Sequence, residues 1–301
     1  MKDDRIEPEV LVPISYFGCA TYFRDSVESV LRQSHQNLRV VIVNDGDSEP
    51  PWSLIEDIED PRVWRIELPT NEGVYFVVSA VLLANDSPLM LIQDADDWSR
   101  PERVSVLLDV LRRTDVGAAF SAQSVHYEHG RHYGDGSERA TRLEDMSENL
   151  CAPADPDTLR QYCQHHGLFR TELLRRLGGY YGGFRVSYDK LIVAVTHLLG
   201  EAAYTRAPVY HRLRRPGSLS TAPETRSGSD YRVGVNTWLR KIYSSVASDL
   251  DGADKKNADI SALMRQFIEP ADWARLQAYA ADIRGVMHCP SDQVHHVAVR
   301  G

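Results

Sequence analysis

Along the first hundred residues, short β-branched runs alternate with segments whose apolar positions recur every three or four residues. Val10-Leu11-Val12-Pro13 and Arg39-Val40-Val41-Ile42-Val43 predict strands, and Phe23, Val27, Val30 and Leu31 between them share one helical face. That is a βαβ unit. Its second strand runs into Asn44-Asp45-Gly46-Asp47, a polar turn at the C-terminal end of a parallel strand, where ligand sites of α/β sheets gather. The pattern then repeats with a weaker strand over 63–68, a helix over 73–84 and a strand over 89–92 that ends in Gln93-Asp94-Ala95-Asp96-Asp97. Pro101 opens a further helix over 102–113, as proline favours a first helical turn.

After a strand over 118–125 the chain becomes polar and glycine-containing over 127–157, which reads as loop-rich. A helix is predicted over 168–177, stopped by Gly178-Gly179, and another over 188–199, headed by Ser187 and Asp189 as cap candidates. Two further helical stretches cover 231–250 and 260–283, and the tail from Cys289 looks irregular. These readings divide the chain into a nucleotide-binding half (1–115), an acceptor-binding half (116–222) and a helical C-terminal extension (223–301). No internal repeat or low-complexity tract interrupts them.

Composition narrows the function classes. Among 301 residues, 43% are hydrophobic and 26% charged, a balance typical of a globular, water-soluble chain. The net charge of −9 gives no general field for a polyanion, so nucleic acid is not an expected partner. The one compact basic stretch, Arg212-Leu213-Arg214-Arg215, suits a few phosphates or a solvated turn. Cys19, Cys151, Cys163 and Cys289 form no C-x-x-C pair and read as reduced thiols. The acidic start MKDDRIEPEV is unlike a leader peptide, and the apolar run 74–84 is about half a membrane span and carries Ser79. No membrane span and a cytoplasmic location are the expectations.

Asp94, Asp96 and Asp97 place three carboxylates within four residues, which repel one another unless solvated, capped or bridged by a cation. A hard divalent ion, Mn²⁺ or Mg²⁺, is the natural bridge, because it takes carboxylate oxygens and leaves positions for phosphate oxygens.

Five motifs then occur in order: Val12-Pro13-Ile14-Ser15-Tyr16; Ser29-Val30-Leu31-Arg32-Gln33-Ser34; Val40-Val41-Ile42-Val43-Asn44-Asp45-Gly46; Asn71-Glu72-Gly73; and Gln93-Asp94-Ala95-Asp96-Asp97 with Pro101-Glu102-Arg103. Together they resemble the nucleotide-binding half of family-two glycosyltransferases of the GT-A fold. The resemblance extends more thinly to Leu177-Gly178-Gly179-Tyr180, Tyr188-Asp189 and the stretch from Tyr210 to Ser218, and covers nothing beyond about residue 222. The fold it implies is a Rossmann-like mixed sheet flanked by helices, with the helical extension added.

The resemblance further implies an inverting, metal-dependent transferase that moves a sugar from a nucleotide diphosphate sugar, UDP-linked in most of the family, to a soluble acceptor hydroxyl or amine. Asp45 would bind the nucleobase, and Pro13, Ile14, Ser15 and Tyr16 would line base and ribose. Asp94, Ala95 and Asp96 would contact the sugar nucleotide, Asp94 and Asp96 holding the metal; Asp97 is read as the cap of the helix after Pro101. Asp189 would be the catalytic base, although a plain cap role is its alternative, and Tyr188 stands where the family usually has another acid.

Val77-Val78-Ser79 lacks the basic residue usual after Asn71-x-Gly73. Arg214 or Arg215, in what would be a flexible loop with His211 and Arg212, could supply it. Trp98, Tyr180, Tyr181 and Phe184 read as an acceptor wall or as core, and His295-His296 as a solvated or packed pair. The extension would shape acceptor choice or form an oligomer contact. Two rivals are a nucleotidyltransferase, which would need a glycine-rich basic loop after the first strand that is absent here, and a non-catalytic sugar-nucleotide-binding protein, which Tyr188 favours.

Overall fold

The structure, a computed structural model, describes residues 7–128, 166–255, 258–287 and 294–296. Cys151, Cys163, Cys289 and nearly all of the loop-rich stretch predicted over 127–157 lie outside these residues.

The β-branched runs form the parallel centre of one sheet. β1 (Val10–Tyr16) lies between β2 (Leu38–Asn44) and β4 (Leu89–Leu91), and β3 (Val63–Glu67) extends the sheet beyond β2, all in parallel. β1 is flanked by strands and covered on both faces, so its side chains alternate between two apolar cores. Val10, Val12, Ile14 and Tyr16 face the core beneath α1 (Ala20–Leu31), while Leu11 joins the core beneath α2 (Val74–Ala84). Helix α2 is apolar on every side because it is covered on every side.

Beyond β4 the sheet becomes mixed. β5 (Trp98–Ser99) and α3 (Arg103–Thr114) follow the acidic turn, then β6 (Ala118–Tyr127), β7 (Leu168–Arg170), α4 (Thr171–Arg176), α5 (Tyr188–Leu198) and β8 (Ala202–Arg214). The spatial order among the described strands is β5-β8-β6-β7-β4-β1-β2-β3-β9, with β7 antiparallel to both its neighbours. The C-terminal extension supplies α6 (Asp230–Asp249), α7 (Ser261–Met264), α8 (Pro270–Met287) and the edge strand β9 (Val294–His296). Helix α8 lies along α2, where Tyr279 meets Phe76 edge to face at 5.6 Å.

Four expectations are corrected here. Leu168–Arg170 is a strand, not the start of a helix: Leu168 and Phe169 fill the slot between β4 and β6 and pair with both. The stretch 260–283 is two helices, and the second begins at Pro270, whose ring fits a first turn and not a helix interior. The tail contributes β9, paired in parallel with β3 through Arg65 to Glu67. His211, Arg212 and Arg214 belong to β8 and not to a flexible loop; the strand was hidden by Arg206 and Pro208 and by a break in its register with β6.

The acidic turn is shaped from below by one buried cation. Arg103, at the first position of α3, is 0% exposed. Its Nη1 donates to Gln93 Oε1 (2.9 Å) and Ser99 Oγ (2.8 Å), and its Nη2 to the carbonyls of Ile92 (2.8 Å) and His166 (2.9 Å). Its plane lies 4.3 Å from the Tyr210 ring. Burial pulls the guanidinium down to about 10, which leaves it charged at neutral pH. Gln33 closes the same corner, donating to the Ser29 and Arg100 carbonyls and accepting from Val104 N–H.

A lysine reaches such a site as a point charge and cannot reproduce the planar fork. Arg103→Lys is therefore expected to lower the unfolding free energy by about 3 kcal/mol or more in urea denaturation, since several buried acceptors lose their donors. A loss below about 1 kcal/mol, no more than one ordinary hydrogen bond, would show that the turn holds its shape without this residue.

Candidate active site

A cavity of about 970 Å³ opens at the C-terminal ends of the parallel strands. Strand alternation decides which residues of the first motif reach it. Ile14 and Tyr16 share the parity of Val10 and Val12 and turn into the α1 core, Tyr16 edge-on to Phe23 at 4.9 Å, and burial pushes its phenol up to about 12. Pro13 is buried too and does not reach the wall. Ser15 and Phe17 are the wall residues, so the expectation that Pro13, Ile14 and Tyr16 line the site is corrected. Phe17 is 51% exposed and was missed, although carrying the β1 alternation two residues further points to it.

Asp45 borders the cavity with its carboxylate already engaged: Oδ1 accepts from Glu72 N–H (2.7 Å) and Oδ2 from Gly73 N–H (2.9 Å). Gly46, at φ +69°, lets the turn touch the backbone of Thr70, where a Cβ would come within 2.3 Å. The Asn44-Asp45-Gly46 and Asn71-Glu72-Gly73 motifs are thus two halves of one joint. Burial outweighs the two amide donors and pushes the Asp45 carboxyl up to about 7.

Of the acidic turn, Asp94 is the most open. Its Oδ2 lies 2.9 Å from His166 Nε2, and Ser26 Oγ donates to its carbonyl. Asp96 lines the cavity and pairs with Arg215 Nε at 2.7 Å. Asp97 is buried, accepting from Tyr210 O–H (2.6 Å) and Leu213 N–H (2.7 Å) of β8, with His166 Nε2 at 3.8 Å. It does not cap α3, whose N-cap position is Glu102; the correction follows from the β5 segment that intervenes. Burial first, then the charge of Asp94, raises both Asp96 and Asp97. Asp94, Asp97 and His166 offer ligand atoms within 4.8 Å of one another, so among the described residues this is a three-residue group that could hold a metal ion, and it shares Asp94 with the expected pair Asp94 and Asp96. His166 follows the loop-rich stretch, and nothing local in the sequence marks it.

The basic stretch divides. His211 stacks on Trp98 (5.4 Å) and hydrogen-bonds His126 (3.0 Å), away from the cavity, whereas Arg212, Arg214 and Arg215 line it. Burial opposes the charge of Arg212, but Asp97, Asp94, Tyr210 and Asp189 together raise it. Of the aromatic residues read as an acceptor wall, Tyr180 lines the cavity. Trp98 stands with the histidines, Tyr181 packs on Phe76, and Phe184 packs on Phe267 and Tyr188.

On the opposite wall Asp189 sits in the first turn of α5, 7% exposed. Ser187 holds the N-cap position at φ +65° without a side-chain bond to the helix backbone, and its Oγ accepts instead from Lys190 Nζ (3.3 Å), so the expected serine cap is absent. Tyr75 O–H donates to Asp189 Oδ1 at 2.5 Å. Tyr188 points the other way: it is fully buried, donates to the Met264 carbonyl (3.3 Å) and fills the space beside Gly182. Arg232 of α6 joins Ser187 Oγ (3.0 Å) to the carbonyls of Leu219 (2.7 Å) and Thr225, so the extension ties the 219–225 segment of the cavity wall to the head of α5. Neither Tyr75 nor Arg232 was legible, because each acts on a residue far along the chain.

The model of the family described as Glycosyl transferase family 2 matches residues 12–178, which take in the β1 motif, the Asp45 joint and the acidic turn. The chain belongs to that family. Its GT-A-like sheet is shared by residues 1–349 of S. aureus TarS in complex with UDP-GlcNAc, at TM-score 0.58 and 12% identity over 92% of this chain and 80% of that one. The mannosyltransferase PcManGT from Pyrobaculum calidifontis in complex with GDP-Man and Mn²⁺ matches at TM-score 0.52 and 15% identity, over 94% of this chain and 87% of that one. Glycosyltransferase GlyA of Streptococcus pneumoniae is 25% identical over 255 residues, 81% of this chain and 34% of GlyA. The first curated relatives are likewise matched over only about a third of their own length.

The Asp45 joint carries a pH signature. A folded-state value near 7 against 3.8 for a free carboxyl means that the folded chain holds this proton more tightly than the unfolded chain. The contribution is complete below pH 3.8 and is lost as pH climbs through 7. The melting temperature of the native chain minus that of Asp45→Asn is expected to shrink between pH 4.5 and pH 8. A constant difference would place the Asp45 titration outside that window.

Proposed function

We propose that this chain transfers a sugar from a nucleoside diphosphate sugar, UDP-linked, to an acceptor hydroxyl or amine with inversion at the anomeric carbon. The observation that carries this reading is the single cavity walled on one side by Asp94 and Asp96 and on the other by Asp189. Asp189 takes the acceptor proton, the acceptor lone pair attacks the anomeric carbon, and the bond to the diphosphate oxygen breaks with its electrons on the opposite face. Attack and departure on opposite faces invert the centre.

The donor set fits a divalent cation: carboxylates suit Mn²⁺ or Mg²⁺, and burial together with the charge of Asp94 raises Asp96 and Asp97, a crowding of buried carboxylates that a cation relieves. When bound, such an ion would offset the charge that develops on the leaving diphosphate. Asp94 belongs to both the expected pair with Asp96 and the group with Asp97 and His166. Arg215, held by Asp96, and Arg214 both line the cavity and in this reading meet the diphosphate, in the role left open by Val77-Val78-Ser79. Phe17 and Ser15 flank the base and ribose side, and Asp45 acts there by fixing the turn that carries Gly73. UDP-GlcNAc in TarS and Mn²⁺ in PcManGT support the choice of donor and ion. Among the described residues no helix is long and apolar enough to cross a membrane, which is compatible with a soluble acceptor.

A thermal-shift panel of UDP, dTDP, GDP and CDP, each with and without Mn²⁺, tests the donor. The preferred nucleotide at a hundred times its dissociation constant should stabilise the fold by about 2.7 kcal/mol, and Asp94→Asn should remove the part of the shift that needs Mn²⁺. No shift with any nucleotide removes the sugar-nucleotide reading.

Asp189→Asn should leave nucleotide binding and melting temperature close to the native values while lowering turnover by about 10² to 10⁴. Nucleoside diphosphate release, measured beside the melting curve, separates the roles. A near-normal rate per folded molecule would return Asp189 to a purely structural part.

A further inference from the structure

Asp189 is held from a helix on the other side of the cavity. Tyr75 lies in the first turn of α2, directly after the Asn71-Glu72-Gly73 turn that Asp45 fastens through two backbone amides. Its phenol reaches Asp189 Oδ1 at 2.5 Å across 114 positions of sequence. The ring is gripped by aromatic neighbours, Tyr180 at 6.0 Å and Tyr188 at 6.2 Å between centroids, so the hydroxyl has little freedom to leave. Burial, and then the charge of Asp189, keep the phenol proton on Tyr75, which makes it the donor of this bond.

We infer that Tyr75 is the positioning residue of Asp189: its hydroxyl fixes the rotation of the carboxylate, and therefore which oxygen faces the acceptor, and it favours the ionised form. The inference rests on the reading of Asp189 as the base. It also connects the two halves of the site. The joint that shapes the nucleotide side starts helix α2 at a fixed height, and the first turn of that helix presents the group that sets the base. Other groups share the field around the pair, namely Tyr180, Arg212 of β8, Arg232 of α6 and the neighbouring Lys190. They are retained in a Tyr75 variant, so a change in that variant reports the lost hydroxyl.

The test is Tyr75→Phe in the full chain, which keeps the ring and removes the donor. Carbon-13 NMR of aspartate-labelled protein, with the Asp189 signal assigned by its loss in Asp189→Asn, should show the Asp189 carboxyl titrating about one unit higher in Tyr75→Phe, a tenfold change in proton affinity. Nucleoside diphosphate release should fall roughly ten- to a hundredfold, with the donor KM unchanged and the acidic limb of the pH profile moved upward. An unchanged titration midpoint in a folded variant overturns the assignment. Should Tyr75→Phe not fold, a ring-fluorinated tyrosine at position 75, a stronger donor of nearly the same shape, should move the midpoint downward, and no movement overturns the proposal equally. Full turnover in Asp189→Asn would instead sink the base reading, while the titration would still decide the bond.

Discussion

A charged group buried in the protein depends on the polar groups around it, and Arg103 is that group here. Its four acceptors and one aromatic face come from the end of β4, from β5, from the residue that leads into β7 and from β8. Sheet pairing joins β5 to β8 and β4 to β7, and the guanidinium bonds across both pairs. It ties the two pairs together beneath the chain between Gln93 and Ser99, which arches over it. That arch is the acidic turn. Its like charges are kept apart by separate anchors: Asp94 beside His166, Asp96 against Arg215 and Asp97 under Tyr210.

The same division of labour appears on the other wall. Helix α2 has no polar face, so its position is set by apolar packing between sheet and α8, and its first turn is set by Asp45. The C-terminal helices are therefore part of the site's architecture: α8 backs the helix that carries Tyr75, Arg275 of α8 pairs with Glu72 (3.1 Å), and Arg232 of α6 fastens the wall near Ser187.

Much of this was legible in the sequence wherever a residue's role depends on near neighbours. The β-branched runs became β1 and β2 because strand pairing rewards local alternation, and the position of Asp94, Asp96 and Asp189 about the cavity followed from their places at strand and helix ends. What failed did so for one physical reason. β8 is held by pairing with β6 across an irregular register, and Leu168 and Phe169 are strand only because two other strands leave a slot for them. His166, Tyr75 and Arg232 act on partners tens of residues away. Tyr16 looked like a site residue until the parity of β1 sent it inward and brought Phe17 outward.

Tyr188 has a consequence for how this chain can change over time. It occupies the position at which a second acid was expected, and it packs so tightly that a Cβ on Gly182 would fall 2.1 Å from its ring. Placing a carboxylate there would leave a void beside Gly182 and a buried charge facing the Met264 carbonyl, which cannot donate to it. Glycine at 182, the aromatic ring at 188 and the C-terminal helices behind them form a set that must be exchanged together. An acid at position 188 is therefore a change that the rest of this set must accommodate at the same time.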